Sequence, residues 1–203
     1  IDPSDNLSGT TYYKTRVTTG VKDSAGNTLS SQYTTATGFA TFISFTAHTI
    51  STSADGARDV YAIDLDSDGD IDALSASEND DKIAWYENNG SESFTDHTIT
   101  TFSDGTNPQS VYAVDIDSDG DIDVLSGSEG TVAVAWYENN GSQSFTAHTI
   151  ATSSTANNTR SVHAADVDGD GDMDVLSASH GGGVNWYENN GSESFTARTI
   201  TTA

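Results

Sequence analysis

Internal repetition constrains this chain more than any other feature. Three segments align almost letter for letter: VYAIDLDSDGDIDALSAS from Val60, VYAVDIDSDGDIDVLSGS from Val111 and VHAADVDGDGDMDVLSAS from Val162, with starts 51 residues apart. A second block follows each of them: AWYENNGSESFTDHTI from Ala84, AWYENNGSQSFTAHTI from Ala135 and NWYENNGSESFTARTI from Asn185. A period of about 50 residues marks a stack of supersecondary units, none of which can bury its apolar face alone. The counts are unequal, however. The strand-like SFTxHTI occurs four times, starting at Ser44, Ser93, Ser144 and Ser194, with Arg198 replacing His in the last copy. The pattern therefore predicts one surplus terminal strand followed by three complete units.

Within a unit the periodicity is two. Ile83 and Trp85 fall on one face, Ala84 and Tyr86 on the other. Both faces are apolar, as in a sheet stacked between sheets. Asn89-Gly90, Asn140-Gly141 and Asn190-Gly191 separate two strand-like runs and signal tight hairpins, because both residue types tolerate positive φ. Each unit then reads as four short antiparallel strands (VYAID, the DALSAS type, the IAWYE type and SFTxHTI), which is one propeller-type blade.

The turn between the first two strands carries the chemistry. Asp64, Asp66, Asp68, Asp70 and Asp72 stand at positions 1, 3, 5, 7 and 9 of a loop with Gly69 at position 6. The loop recurs as Asp115, Asp117, Asp119, Asp121 and Asp123, and again as Asp166, Asp168, Asp170, Asp172 and Asp174. Five carboxylates this close repel one another unless a cation sits among them. Ca²⁺ suits alternate oxygen donors because it takes ~6–8 of them in forgiving geometry, whereas Mg²⁺ demands a strict octahedron. The spacing predicts side-chain ligation from positions 1, 3, 5 and 9 and a backbone carbonyl from position 7, with about three Ca²⁺ ions per chain. It is not an EF-hand: position 12 is Ser75, Ser126 or Ser177 instead of a bidentate Glu. A solvated acidic turn is the bland alternative, but three copies in one register with Gly at one offset argue against it.

Charge excludes some partners. With 31 acidic against 7 basic side chains the net charge is -24, which repels nucleic acid and anionic lipid. No run of ~18 apolar residues could span a bilayer as a helix. Cys is absent, so neither disulfides nor thiolate sites exist. The chain starts at Ile1 without a leader pattern, which reads as a processed product or a piece of a larger protein.

The D-x-D-x-D-G-x-x-D loop between two strands, followed by WYENNG, resembles the FG-GAP and VCBS repeat families, the integrin α-like propeller units. The resemblance covers roughly residues 43–203 and implies blades with Ca²⁺ in the first loop of each, divided near 43–93, 94–143 and 144–203. Family propellers usually close with about seven blades, and three make an open arc. Residues 1–42, with Leu7-Ser8-Gly9-Thr10-Thr11-Tyr12-Tyr13 and Val21-Lys22-Asp23-Ser24-Ala25-Gly26-Asn27, resemble the C-terminal part of a bacterial Ig-like domain. The expected fold is thus all-β: three four-stranded blades with Ca²⁺ loops, plus a short N-terminal Ig-like β segment.

Other candidates are weaker. Trp85, Trp136 and Trp186 could stack on sugars, but their register with Ile83, Val134 and Val184 favours packing between blades. His48, His97 and His148 recur once per repeat and read as strand-surface residues, while His163 and His180 break the repeat. Glu87, Glu138 and Glu188 could be imagined as acid–base pairs, yet identical repeat positions rarely form an active site, so no enzyme is expected. Sequons occur at Asn6, Asn89, Asn140, Asn157 and Asn190, three of them in the Asn-Gly turns. The expected function is a non-enzymatic, extracellular, Ca²⁺-stabilised structural or adhesive protein. It would assemble head-to-tail with other copies by strand donation, from the N-terminal segment or the final SFTARTI. The second reading is a Ca²⁺-dependent glycan- or protein-binding module of a larger secreted protein.

Overall fold

The computed structural model describes residues 46–102 and 105–201, together with four two-residue strands before them. The chain divides into two units, Ile1–His48 and Thr49–Ala203. In the first, β1 (Tyr12–Tyr13) pairs antiparallel with β4 (Phe39–Ala40), and β2 (Arg16–Val17) with β3 (Tyr33–Thr34). The Ig-like reading of 1–42 otherwise lies outside the described residues.

The second unit holds three four-stranded antiparallel meanders. The first comprises β5 (Ala57–Ile63), β6 (Asp72–Ser77), β7 (Lys82–Asn88) and β8 (Phe94–Thr101). The second comprises β9 (Pro108–Val114), β10 (Asp123–Ser128), β11 (Val132–Asn139) and β12 (Phe145–Thr152). The third comprises β13 (Thr159–Ala165), β14 (Asp174–Ser179), β15 (Gly183–Asn189) and β16 (Phe195–Thr201). No helix occurs among the described residues. The all-β expectation is met, and the SFTxHTI copies at Ser93, Ser144 and Ser194 each supply the last strand of their own sheet.

The surplus strand is a correction. Residues 46–50, the described part of the first SFTxHTI copy, form no strand and are exposed. An outer strand needs a WYEN-type strand to pair with, and no such block precedes Ser44. The hairpins differ from expectation too. Five residues, Asn89–Ser93, separate β7 from β8, and the positive φ values fall at Gly90 (72°) and Glu92 (59°). The Asn89 Oδ1 draws the turn together by accepting the N–H of Ser91 (3.0 Å) and Ser93 (3.3 Å).

The sheets stack face to face through the positions that alternation marked. Leu74, Ala76, Ile83 and Trp85 of the first sheet pack on Val111, Ala113, Val124, Ala135 and Tyr137 of the second. Leu125, Val134 and Trp136 repeat the contact against Val162, Ala164, Val175 and Tyr187 of the third. Each large buried side chain contributes about 1.5–3 kcal/mol. Space is tight: a Cβ on Gly127 would press on Thr159 and Val162.

The first strands lie side by side, β9 against both β5 and β13. The Asp59 Oδ2 accepts the Ser110 hydroxyl and the Val111 N–H, each at 3.0 Å, and the Ser110 Oγ accepts the Val162 N–H at 3.2 Å. Tyr61, Tyr112 and His163 form a column with ring centroids 4.9 and 4.4 Å apart, so His163 continues a stack in which the repeat has Tyr. On the outer side, the pairing of the third and fourth strands slips at Ile83/Ala84, Val134/Ala135 and Val184/Asn185.

The two ends of the stack differ from its middle. Val111 and Val162 are 3% and 5% exposed, whereas Val60, the same repeat position at the front, is 67% exposed. At the back, Ala178, Val184 and Ile200 are exposed and Leu176 and Trp186 half-buried, although Leu125, Val134 and Trp136 are fully covered.

Candidate metal centre

Each acidic loop joins the first strand of a sheet to the second, and its position 9 is already the first residue of the second strand. There the carboxylate is buried and holds two backbone donors. The Asp72 Oδ2 accepts the Leu65 N–H at 3.0 Å, and its Oδ1 accepts the Asn88 N–H at 2.8 Å. Asp123 does the same with Ile116 (3.0 Å) and Asn139 (2.8 Å), and Asp174 with Val167 (3.0 Å) and Asn189 (2.8 Å). Position 9 thus ties the loop to the third strand.

Position 1 curls the loop back on itself. The Asp64 Oδ2 accepts the Gly69 N–H at 3.0 Å, and Asp115 accepts from Gly120 at 3.1 Å. This closure needs a left-handed residue at position 4 and another at position 6: Ser67 (φ 63°) and Gly69 (98°), Ser118 (65°) and Gly120 (98°), Gly169 (82°) and Gly171 (100°). At position 6 only Gly takes such a φ without strain.

The structure brings positions 1, 3 and 9 together. Asp64, Asp66 and Asp72 each offer a carboxylate oxygen within 4.8 Å of the others, as do Asp115, Asp117 and Asp123, and Asp166, Asp168 and Asp174. Positions 5 and 7 are placed differently. The Asp68 Oδ1 accepts the Asp70 N–H at 2.9 Å, as Asp119 does from Asp121 (2.8 Å) and Asp170 from Asp172 (2.9 Å). The side chains of Asp70, Asp121 and Asp172 lie against Gly90, Gly141 and Gly191, where an added Cβ would collide with the carboxylate. These turn glycines therefore serve both a positive φ and a close approach.

The triads are electrostatically loaded. Asp66, Asp117 and Asp168 sit above the ordinary carboxylate pKa, first through lost hydration and then through neighbouring aspartates and Glu87, Glu138 or Glu188. Asp123 is pushed up to about 6, mainly by burial and against the pull of the Asn139 and Ile116 N–H groups. One observation tests the fit of a cation directly. The Asp64 and Asp115 Oδ1 atoms are buried without a hydrogen-bond partner. A buried anionic oxygen is costly unless paired, and a hard cation among the three carboxylates supplies that partner. The residues fit a divalent ion.

The third loop is not equivalent. Asp166 and Asp168 are exposed, and the Asp166 Oδ1 accepts the Gly169 N–H at 2.7 Å. The first two loops, in contrast, face the turn of the following sheet. A cavity of about 330 Å³ is lined by Asp66, Glu87 and His97 with Ser142, Gln143 and Phe145, and one of about 70 Å³ has Asp117 and Ser118 opposite Gly191 and Glu193.

The family-model comparison decides the affiliation. The model described as an FG-GAP-like repeat matches residues 64–126, 115–177 and 166–203. The chain belongs to the FG-GAP-like repeat family. Each match opens on position 1 of an acidic loop, so the three FG-GAP repeats and the three triads coincide. FG-GAP repeats are structural and binding modules, and these triads could hold metal ions, consistent with Ca²⁺. No curated protein matches the chain. No described helix is long and apolar enough to cross a membrane.

The remaining FG-GAP residues divide cleanly. Trp85 and Trp136 are 3% and 0% exposed, which agrees with packing rather than sugar stacking. Tyr86, Tyr137 and Tyr187 share hydrogen bonds with Ser75, Ser126 and Ser177 at 2.9, 3.2 and 3.3 Å. Sequence reasoning missed a cross-strand triplet. His97 stacks on Trp85 (4.5 Å) and bonds Glu87 through Nε2 at 2.8 Å, and His148 repeats this with Trp136 and Glu138. The Arg198 Nε donates to the Glu188 Oε2 at 2.8 Å, so a base faces the Glu in every repeat. The strand register pairing Trp85 with His97 was the signal that could have found it.

Proposed function

We propose that the chain is a non-enzymatic, calcium-stabilised structural module of the cell exterior that stacks end to end with further copies of itself. Calcium occupies the three triads, with the position 5 carboxylate and the position 7 carbonyl completing its oxygen shell. Extracellular Ca²⁺ is millimolar, within reach of modules that bind at ~10⁻⁴–10⁻³ M.

The observation that carries the reading is the mismatch between middle and ends. Val60 is 67% exposed where its two counterparts are almost fully covered, and the back of the third sheet leaves Ala178, Val184 and Ile200 exposed. The back face and the open Val60 edge of the front face correspond to surfaces that meet twice within the chain, while Ala73, Ala84 and Tyr86 of the front face are already buried with Ala54 and Phe94 packed against them. A back face meeting a front face is a heterologous contact, which closes into a ring or propagates as a filament. The final strand is paired within its own sheet, so stacking of faces carries the assembly and β16 is not its donor.

Sedimentation velocity on the 203-residue chain in millimolar Ca²⁺ tests this. The expected result is a concentration-dependent series of species, collapsing to monomer when Val60→Asp charges the front face. A wild-type chain that stays monomeric at every concentration overturns the reading.

A further inference from the structure

Each repeat holds a tryptophan whose ring packs and whose N–H is idle. The Nε1 atoms of Trp85, Trp136 and Trp186 are buried and make no hydrogen bond. A buried polar atom left unpaired calls for a reason, and the same atom unpaired at one position of three repeats calls for a common one. The strand register points to it. Leu125 lies opposite Trp136, so Asp123, two residues before Leu125, shares the face of the indole and lies diagonal to it. Leu74 with Trp85 and Leu176 with Trp186 set Asp72 and Asp174 in the same relation. In the second repeat Asp123 and Trp136 are both fully buried. Burial raises the Asp123 carboxyl to about 6; the Asn139 and Ile116 N–H groups pull against it, and the Trp136 N–H pulls more weakly in the same sense.

We propose that the tryptophan of each repeat is a positioning residue of the cation site, its indole N–H donating to the position 9 carboxylate when a divalent ion occupies the triad. This rests on the calcium reading of the triads and names what tunes them.

The acceptor has room for this bond. A carboxylate offers about four lone-pair sites. The Ile116 and Asn139 N–H groups take one on each oxygen of Asp123. Two remain, one for the cation and one for the indole. An indole N–H only donates, so it supports the ligand without competing for the ion.

The Trp–His–Glu triplet gains a purpose from this. His148 stacks on the Trp136 ring at 4.5 Å and 24°, and its Nε2 bonds the Glu138 Oε2 at 2.8 Å. His97 and Glu87 clamp Trp85 in the same way. Each clamp holds the ring plane that contains the N–H. Groups that orient a ligand without touching the ion govern affinity through the ligand's position. Only an interaction that differs between the loaded and the unloaded loop changes affinity, so the indole bond tightens as the cation binds.

The experiment is a Ca²⁺ titration of the full chain, followed by calorimetry and by NMR of the three indole N–H groups. In the wild type the indole signals move downfield and saturate together with Ca²⁺ uptake. Trp136→Phe fills the core without the donor; one binding event weakens by a factor of about 10–100, while the other two keep their affinity. Lower stability of Trp136→Phe in EDTA with unchanged Ca²⁺ affinity marks a packing role and overturns the assignment. Should that variant not fold, the wild type alone decides, because indole signals that stay in place while Ca²⁺ binds overturn it equally. Both results leave the calcium reading standing. A wild type that takes up no Ca²⁺ overturns that reading and this one with it.

Discussion

Asp123 offers the sharpest test of the site, because its two functions separate by condition. It is buried and accepts the Ile116 N–H at 3.0 Å and the Asn139 N–H at 2.8 Å. Asp123→Ala orphans both donors. A buried unsatisfied donor costs about 1–3 kcal/mol, and bonds to a charged acceptor lie at the upper end, so the loss is about 2–6 kcal/mol even in EDTA. Asp117 belongs to the same triad, but it accepts the Asp119 N–H at 3.1 Å within its own exposed loop and braces no other strand. Its removal in EDTA also relieves repulsion from Asp119, Asp115 and Glu138. Asp117→Ala is therefore expected to lie within about 1 kcal/mol of wild type in EDTA and to lose stability only against wild type in millimolar Ca²⁺. Urea unfolding followed by tryptophan fluorescence, with and without chelator, gives all four numbers. Equal losses for the two variants in EDTA would refute the division between a strut at position 9 and a pure ligand at position 3.

Three further expectations follow from local geometry. Gly141→Ala meets both a positive φ (73°) and the Asp121 carboxylate, and should lower the urea midpoint by the equivalent of about 1–3 kcal/mol; an unchanged midpoint would mean the turn is not held against the loop. Ser67→Gly and Ser118→Gly relieve left-handed strain that Gly169 avoids in the third loop, and each should raise thermal stability by less than about 1 kcal/mol, read from the melting temperature. Asp96 is held below the ordinary carboxylate pKa by hydrogen bonds from Ser53 first and Ser51 second. Its contribution is complete above pH ~3.8 and disappears as the pH falls through its own lower pKa; NMR titration should find that lower value in the wild type and one raised part of the way back in Ser53→Ala, where the Ser51 hydroxyl still donates to Asp96.

What the sequence revealed and what it hid have physical causes. Strand alternation in IAWYE and the 51-residue spacing determine which side chains face a neighbouring sheet, so Trp85, Ile83 and Tyr137 could be placed without coordinates. The acidic loop was legible as a candidate cation site, since charge density needs no geometry. The sharing of duties among its five aspartates was not. Positions 1, 3 and 9 converge while the position 5 carboxylate accepts the position 7 N–H, and a run of alternating Asp contains no mark of that. The surplus strand misled because SFTxHTI has the composition of an outer strand, yet strand formation depends on a partner that residues 46–50 lack. The Trp–His–Glu triplet was hidden in the register between two strands, which spacing within one strand does not specify.

The slipped pairing on the outer strands bears on how particles of this protein pack sideways. A bulge interrupts the regular row of donors and acceptors and twists the strand away from a would-be neighbour. Because the slip recurs at Ile83/Ala84, Val134/Ala135 and Val184/Asn185, every rim is blunted at one height. Molecules of the protein should thus resist fusing edge to edge into sheets or amyloid-like ribbons.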